Sequence, residues 1–454
     1  MKKITTTDEL VAAMDERGTR HFKIGVFDVD GVMRGKYVNR DKFLSSLRGG
    51  MSFCDVVLGW DSGDQLYDNT SLSGWHTGYR DAPVTLDPST ARFLPFEEDT
   101  VLVIGNFGGT YEAACPRSVL GRTVARAEQL GFSPMAALEY EFFMFDETPQ
   151  TARDKGYRDL KPFTPGMFGY SMIRNTVHHE LYHELLGTME AMDCAIEGLH
   201  TETGPGVLEA AIGVDTAMRA GDKGALFKTF TKVLAQRNGL MATFMSKWSN
   251  DYPGQSGHIH VSLGDKSTGR NVFYDEQADQ GMSELLRQFI AGQVKYMPEL
   301  LPMVCSTVNA YRRLVPGMWA PTAANWGVEN RTTAIRAIPA GAKGTRSEYR
   351  LGPADANPYY ALAAALGSGL LGIEDKLSPS PAVTGNGYED PGEGAEPLPA
   401  TLEDATARFR RSEGARRLFG ETFVDHFAST REWECREHRK QVADTDLKRY
   451  FEII

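Results

Sequence analysis

The chain has 454 residues, 41% hydrophobic and 24% charged. These are values of a folded protein with material for more than one core and not of a disordered chain. A net charge of −11 with no basic cluster argues against nucleic acid as a partner. Five scattered cysteines without a CxxC pair, no N-terminal apolar leader and no long apolar run predict reduced thiols and a cytoplasmic protein that does not enter a membrane.

In chain order, β-rich runs such as 22–27 and 100–105, separated by Gly/Asp/Ser-rich stretches, predict a small sheet domain over residues 1–112. Within it, Val26-Phe-Asp28-Val-Asp30-Gly31 matches the DxDG strand end of haloacid-dehalogenase phosphatases, where the first Asp is a nucleophile. That chemistry needs a helix after the motif, and here Arg34-Gly-Lys-Tyr-Val38 reads as another strand. Asp and Gly reversing a hairpin is the simpler account.

A second domain is expected over residues 113–454, beginning with Pro116 at the first position of a helix and Gly131 as its stop. Apolar spacing predicts helices over about 116–130, 170–192, 216–240, 280–297, 357–373 and 402–418. The second of these carries His179-Glu180-Leu-Tyr-His183, a formal HExxH zinc motif. Its apolar stripe, Ile173, Val177, Leu181, Leu185 and Met189, puts both histidines on the solvent side, and a zinc site needs a third ligand and burial. Residues 384–397 read as a polar surface loop.

Between the helices lie strands with unusual charges. Met135–Phe145 carries Glu139 and Glu141, which share one face of an extended chain while Leu138, Tyr140 and Phe142 take the other. Two ionised carboxylates side by side in an apolar strand call for a cation. His258 and His260 repeat the spacing, as do Glu348 and Arg350. Residues 200–212 read as a hairpin around Gly204-Pro205-Gly206, with Glu202 on one arm and Glu209 on the other. Each acid taken alone is explained by a nearby Arg. Four such segments together are better explained by Mg²⁺ or Mn²⁺ held largely by oxygen, with phosphate as the group that bridges metals.

The ordered motifs Glu139-Tyr-Glu141, His200-Thr-Glu202 to Glu209, Gly254-Gln-Ser-Gly-His258-Ile-His260, Tyr311-Arg-Arg313-Leu-Val-Pro-Gly, Asn330-Arg331 to Arg336, Glu348-Tyr-Arg350 and Ala354-Asp-Ala-Asn-Pro-Tyr359 resemble the glutamine synthetase family, bacterial type I branch. The resemblance implies an α+β fold: a β-grasp-like N-terminal domain and a larger catalytic domain with a curved antiparallel sheet. It also implies a homo-oligomer, a dodecamer of two hexameric rings with active sites between subunits. One metal would be held by Glu141, Glu202 and Glu209, the other by Glu139, His258 and Glu348. Glutamate would meet Gly254, Arg313 and Arg350. ATP and the transferring phosphoryl group would meet Glu197, His260, Arg331, Arg336, Lys343 and Arg346. The implied reaction activates the γ-carboxylate of glutamate as an acyl phosphate, which an amine then attacks.

One departure bears on the nucleophile. Ammonia-using members of the family carry Pro-Gly-x-Glu-Ala-Pro in a flap whose Glu helps bind ammonium, and here the stretch is Pro316-Gly-Met-Trp319-Ala-Pro321. The family's second ammonium residue is retained as Asp68, in a loop supplied by the neighbouring subunit. Exchange of a carboxylate for an indole implies a small organic amine packing on Trp319, and thus a γ-glutamylamide synthetase, the alternative being a loop aromatic with ammonia use unchanged, a glutamine synthetase. The family's adenylylated Tyr has no clear counterpart; Tyr388 stands in the polar loop.

Overall fold

The structure, a computed structural model, describes residues 4–454. A mixed five-stranded sheet is built from residues 21–107, in the order Met33–Val38, His21–Phe27, Thr100–Phe107, Asp81–Phe93 and Met51–Cys54. Only the His21–Phe27/Thr100–Phe107 pair is parallel. Helices Thr7–Glu16 and Arg40–Gly49 cover one face, with Leu10, Met14, Phe43 and Leu47 meeting Phe22, Ile24, Val26, Val101 and Val103. Alternate residues of the same strands, Phe27, Leu102 and Ile104, join the main core behind the sheet. The period of two along a strand thus lets one strand serve two cores.

The Asp28–Val32 turn is a hairpin, as the following strand requires. Asp28 is fully buried and accepts from the backbone N–H groups of Asp30 and Val32 and from Arg34 Nε. Gly31, at φ +79°, packs against Asn357, whose Cα would lie 3.0 Å from an added Cβ. No substrate reaches such a carboxylate, so the phosphatase motif is a structural turn.

A nine-stranded sheet follows, ordered Trp326–Val328, Ile335–Ile338, Arg346–Tyr349, Gly257–Asp265, Phe132–Phe145, Val207–Ile212 and Ile196–Thr201, with two short strands pairing the ends of Phe132–Phe145. All pairs are antiparallel except Trp326–Val328 with Ile335–Ile338. One face packs on helices Pro116–Gln129, Ala217–Arg237, Glu284–Val304 and Pro358–Glu374. The last of these is apolar all round because it is enclosed all round. It touches Glu284–Val304 backbone to backbone: an added Cβ on Gly292 would lie 2.3 Å from Ser368 O.

Two predicted helices differ in form. The 170–192 segment is two helices, Met172–Val177 and His179–Ala191, because the backbone leaves helical geometry at His178. The apolar stripe therefore breaks: Leu185 and Met189 are buried, while Ile173 and Val177 are 76% and 68% exposed. His179, Glu180 and His183 face solvent, and the HExxH motif forms no site. The 402–418 segment is likewise divided, since Ser412 ends one helix and its side chain caps Glu413–Phe419. Helices Thr7–Glu16, Arg40–Gly49, Glu421–Arg439 and Asp444–Tyr450 are additions to the expected set, although Thr6 and Glu9 form a capping box that the sequence displays. Among the described residues no helix is long and apolar enough to cross a membrane.

Helix Glu421–Arg439 seats against the first sheet's connections through His426, which is 1% exposed. Burial lowers its pKa to about 4, with the backbone of Leu58 pulling the other way. A histidine depressed from 6.5 charges more readily in the unfolded chain, so its contribution is present above pH 6.5 and is lost as pH falls towards 4. Denaturant melts at pH 7.5 and 4.5 should show wild type losing roughly 3 kcal/mol more than His426→Gln over that interval; equal losses would contradict this role.

Candidate active site

Strand register assembles the charged residues. Across the ladder Glu141 lies opposite Glu209, and Glu209 opposite His200. Glu139 lies opposite His258, His260 opposite Glu348, and Glu348 opposite Arg336. Directly opposed residues point to the same side of the sheet with Cβ atoms about 5 Å apart. The single face opposite the helices therefore becomes a row of acids, imidazoles and guanidinium groups.

That row floors a cavity of about 470 Å³ lined by Glu139, Glu141, Glu202, Glu209, His258, Arg331, Arg336, Glu348 and Arg350, with Gly254 in its wall and Met318 and Trp319 at the flap. A second cavity of about 270 Å³ shares Glu139 and is lined by Glu197, His260, Lys343 and Arg346. Of the residues expected to meet ATP and the phosphoryl group, Glu197, His260, Lys343 and Arg346 line the second cavity, whereas Arg331 and Arg336 line the first.

The two halves of the floor differ electrically. Glu139 Oε1 lies 3.1 Å from His260 Nε2, and Glu139 Oε2 and Glu348 Oε1 each lie 3.5 Å from His258 Nδ1. Arg336 Nη1 donates to Glu348 Oε2 at 3.1 Å, and Arg350 Nη1 donates to Glu348 Oε1. Burial opposes ionisation of both acids, yet His258 and His260 hold Glu139 well below the usual carboxylate range. His258, Arg350 and His260 hold Glu348 at about 2. Burial and Arg350 lower the pKa of His258, whose buried Nε2 has no hydrogen-bond partner.

Glu141 stands otherwise. Its Oε2 accepts from Ser256 N at 2.6 Å, but burial and the facing Glu209 push it up to about 7. Glu202 adds a third carboxylate, and His200, with Nε2 3.3 Å from Glu209 Oε1, is the adjacent base. A cluster of acids whose own charges suppress ionisation is what a divalent cation relieves. The oxygen-rich donors, together with the unpartnered His258 Nε2 and ligand atoms of Glu139, His260 and Glu348 within 4.8 Å of one another, fit hard divalent ions. His260, expected beside the nucleotide, thus stands at the boundary of both functions; Arg346 Nε donates to its Nδ1 at 3.1 Å.

Arg313 lies elsewhere than expected, whereas Asp68, expected in the neighbouring subunit's site, is outside this chain's own cavities. Arg313 is 1% exposed and donates to Leu351 O, Arg350 O and Ser256 Oγ. It sits behind Gly254, where an added Cβ would meet Arg313 Cγ at 2.7 Å, and so supports that part of the cavity wall from within. Asp68 lines neither cavity; it is on a surface loop, bridged to Arg436. Tyr388 is half-buried, with the charges of Arg350 and Arg313 within range.

His200 and Tyr170 received no role from sequence. Tyr170, at φ +54°, stacks on His200 with ring centroids 4.3 Å apart, and both line the cavity. His200 was detectable, two residues before Glu202 and on the same strand face. Tyr170 had no such signal.

An acidic, arginine-rimmed site on an α+β scaffold with a neighbouring basic cavity defines a phosphoryl-activating ligase. The glutamine synthetase catalytic-domain family matches residues 113–450, and the chain belongs to the glutamine synthetase family of ATP-dependent ligases. Its fold is that family's, with a curled half-barrel sheet. It is 42% identical to type-1 glutamine synthetase 2 of Dictyostelium discoideum, over 95% of this chain and 84% of the relative. It is 35% identical to a glutamate–isopropylamine ligase of a Pseudomonas species, over 95% of each. A solved structure of ligand-free GmaS superposes with a TM-score of 0.84 at 25% identity, covering 98% of this chain and 99% of that one.

If a cation relieves the Glu141–Glu209 repulsion, it must displace the proton that Glu141 holds below pH 7. Calorimetric Mg²⁺ titration should show affinity rising roughly tenfold per pH unit up to about 7, with proton release. Glu141→Gln should bind weakly, without that pH dependence, and Glu141→Ala should lose ADP formation with unchanged circular dichroism. Wild-type turnover by Glu141→Ala at saturating Mg²⁺ would refute the assignment.

Proposed function

We propose that the chain joins the γ-carboxylate of glutamate to a primary organic amine, cleaving ATP to ADP and phosphate, with γ-glutamyl phosphate as intermediate. The observation that carries this reading is Trp319, which lines the cavity at 53% exposure where ammonia-using relatives by the family pattern carry Glu. Its backbone is left-handed, at φ +58°, a conformation of order 1 kcal/mol or more above the ordinary regions for a bulky residue. Met318 beside it enlarges the apolar surface. The 35%-identical isopropylamine ligase supports an organic nucleophile; the 42%-identical type-1 glutamine synthetase supports ammonia as the alternative.

Glutamate's α-carboxylate and backbone meet Arg350 and the Gly254 wall, which Arg313 braces from behind. Two divalent cations, Mg²⁺ or Mn²⁺, when held by Glu141, Glu202 and Glu209 and by Glu139, His258 and Glu348, would neutralise the phosphate oxygens. Glu197, His260, Lys343 and Arg346 take the nucleotide, while Arg331 and Arg336 face the phosphoryl group as it leaves ADP for the γ-carboxylate oxygen. The amine nitrogen then attacks the acyl carbon, the C–O bond to phosphate breaks, and the amine's proton passes to Asp68 of the adjoining subunit. Such an arrangement requires an oligomer, for which a dodecamer of two hexameric rings is the expected form.

Ammonium needs a negatively charged pocket, whereas an organic amine gains about 25 cal/mol for each Å² of carbon it buries. Wild type should prefer some member of a panel containing isopropylamine, propylamine and ethanolamine over ammonium by about tenfold or more in kcat/KM, and Trp319→Glu should narrow the gap. Ammonium as the best wild-type substrate would replace this reading with glutamine synthesis. Separately, inactive Asp68→Ala and Glu209→Ala subunits should recover activity when mixed under exchange conditions. Verified mixed rings without activity would show that the site is not shared.

A further inference from the structure

Asp68 is held by a feature remote in sequence. Three consecutive loop residues run along one face of helix Glu421–Arg439. Tyr67 stands edge-on to Trp433 at 5.3 Å, Arg436 Nη2 donates to Asp68 Oδ1 at 2.6 Å, and Asn69 Nδ2 donates to Ser429 O at 2.7 Å. Ser429, Trp433 and Arg436 follow the four- and three-residue steps of one helical face. Deeper in the same contact, Arg431 pairs with Asp30 at 2.9 Å and donates to Tyr67 Oη and Ser306 O. The loop is thus splinted from behind by a buried ion pair and an aromatic contact, with its acid placed against a guanidinium.

We infer that Arg436 is a positioning residue for nucleophile choice: its ion pair with Asp68 withholds that carboxylate from ammonium and leaves it to amines anchored by their carbon atoms. The inference rests on the reading that Asp68 serves the amine. A small, strongly hydrated cation binds through net negative charge, and near Arg436 the Asp68 charge is already compensated. An organic amine gains its affinity from Trp319 and Met318, and Oδ2 of Asp68 still offers lone pairs to its proton. Of the two acids that would draw ammonium, one is therefore replaced by an indole and the other is neutralised by Arg436.

The test uses full-length Arg436→Gln and Arg436→Lys, assayed for ADP release with glutamate and either ammonium chloride or the best amine of the panel above. Both partners are part-exposed, so folding does not depend on the bridge. Arg436→Gln should lower the KM for ammonium by roughly fivefold, the ceiling for an exposed ion pair, with kcat and the amine KM changed by less than about twofold. Arg436→Lys should restore the wild-type preference. An unchanged ammonium-to-amine ratio in Arg436→Gln, or equal loss of kcat for both substrates without rescue by Lys, would overturn the inference. The two readings fail separately: a wild type that prefers ammonium removes the amine ligase, whereas a wild type that prefers the amine with an unmoved ratio in Arg436→Gln removes only the role of Arg436.

Discussion

Repulsion among Glu141, Glu202 and Glu209 is the constraint around which the molecule is arranged. A protein interior disfavours one bare carboxylate, and strand pairing here brings two face to face with a third beside them. On the other half of the same floor, imidazoles and guanidinium groups alternate with acids, and Glu139 and Glu348 stay ionised despite burial. One half is thus self-compensating and the other is not. This asymmetry fits the cavity for a cation, and with it for the phosphate chemistry proposed above.

Such strain needs a rigid support, and the support is on the opposite face of the sheet. Leu138, Tyr140 and Phe142 interdigitate with helix Ala217–Arg237 and its neighbours, so the strand that carries Glu139 and Glu141 cannot turn its acids outward without exposing its aromatics. Behind that layer, Gly292 admits the backbone of the next helix. Arg313 contributes in the same sense: buried and donating to Leu351 O, Arg350 O and Ser256 Oγ, it fixes the segment that bears Arg350.

In the proposed reaction, chemistry and selection fall to different parts of the structure. Most of the residues that would handle phosphate and metal sit on paired strands, with Glu202, Arg331 and Lys343 just off them, whereas Trp319, Met318, Tyr170 and Asp68 sit on loops. Loops tolerate exchange because little else packs on them, which allows one catalytic floor to serve different nucleophiles. The Asp68 loop is the exception, since helix Glu421–Arg439 fixes it by side chains more than 350 residues away in sequence.

Much of this was written in the sequence. The i,i+2 spacing of Glu139/Glu141 and His258/His260 fixed which side chains share a face, since strand periodicity is local. Continuation of the chain as a strand after Asp28 already separated a hairpin turn from a phosphatase nucleophile. Periodicity alone could not show the break at His178, which exposes Ile173 and Val177, because it assumes the helix is continuous. Nor did it determine which acid faces which, that Arg313 turns inward, or that Arg436 reaches Asp68. Those are outcomes of strand register and of packing between segments distant in sequence, by as much as 368 residues for Arg436 and Asp68. A local pattern constrains which way a side chain points, and only the folded chain decides what it points at.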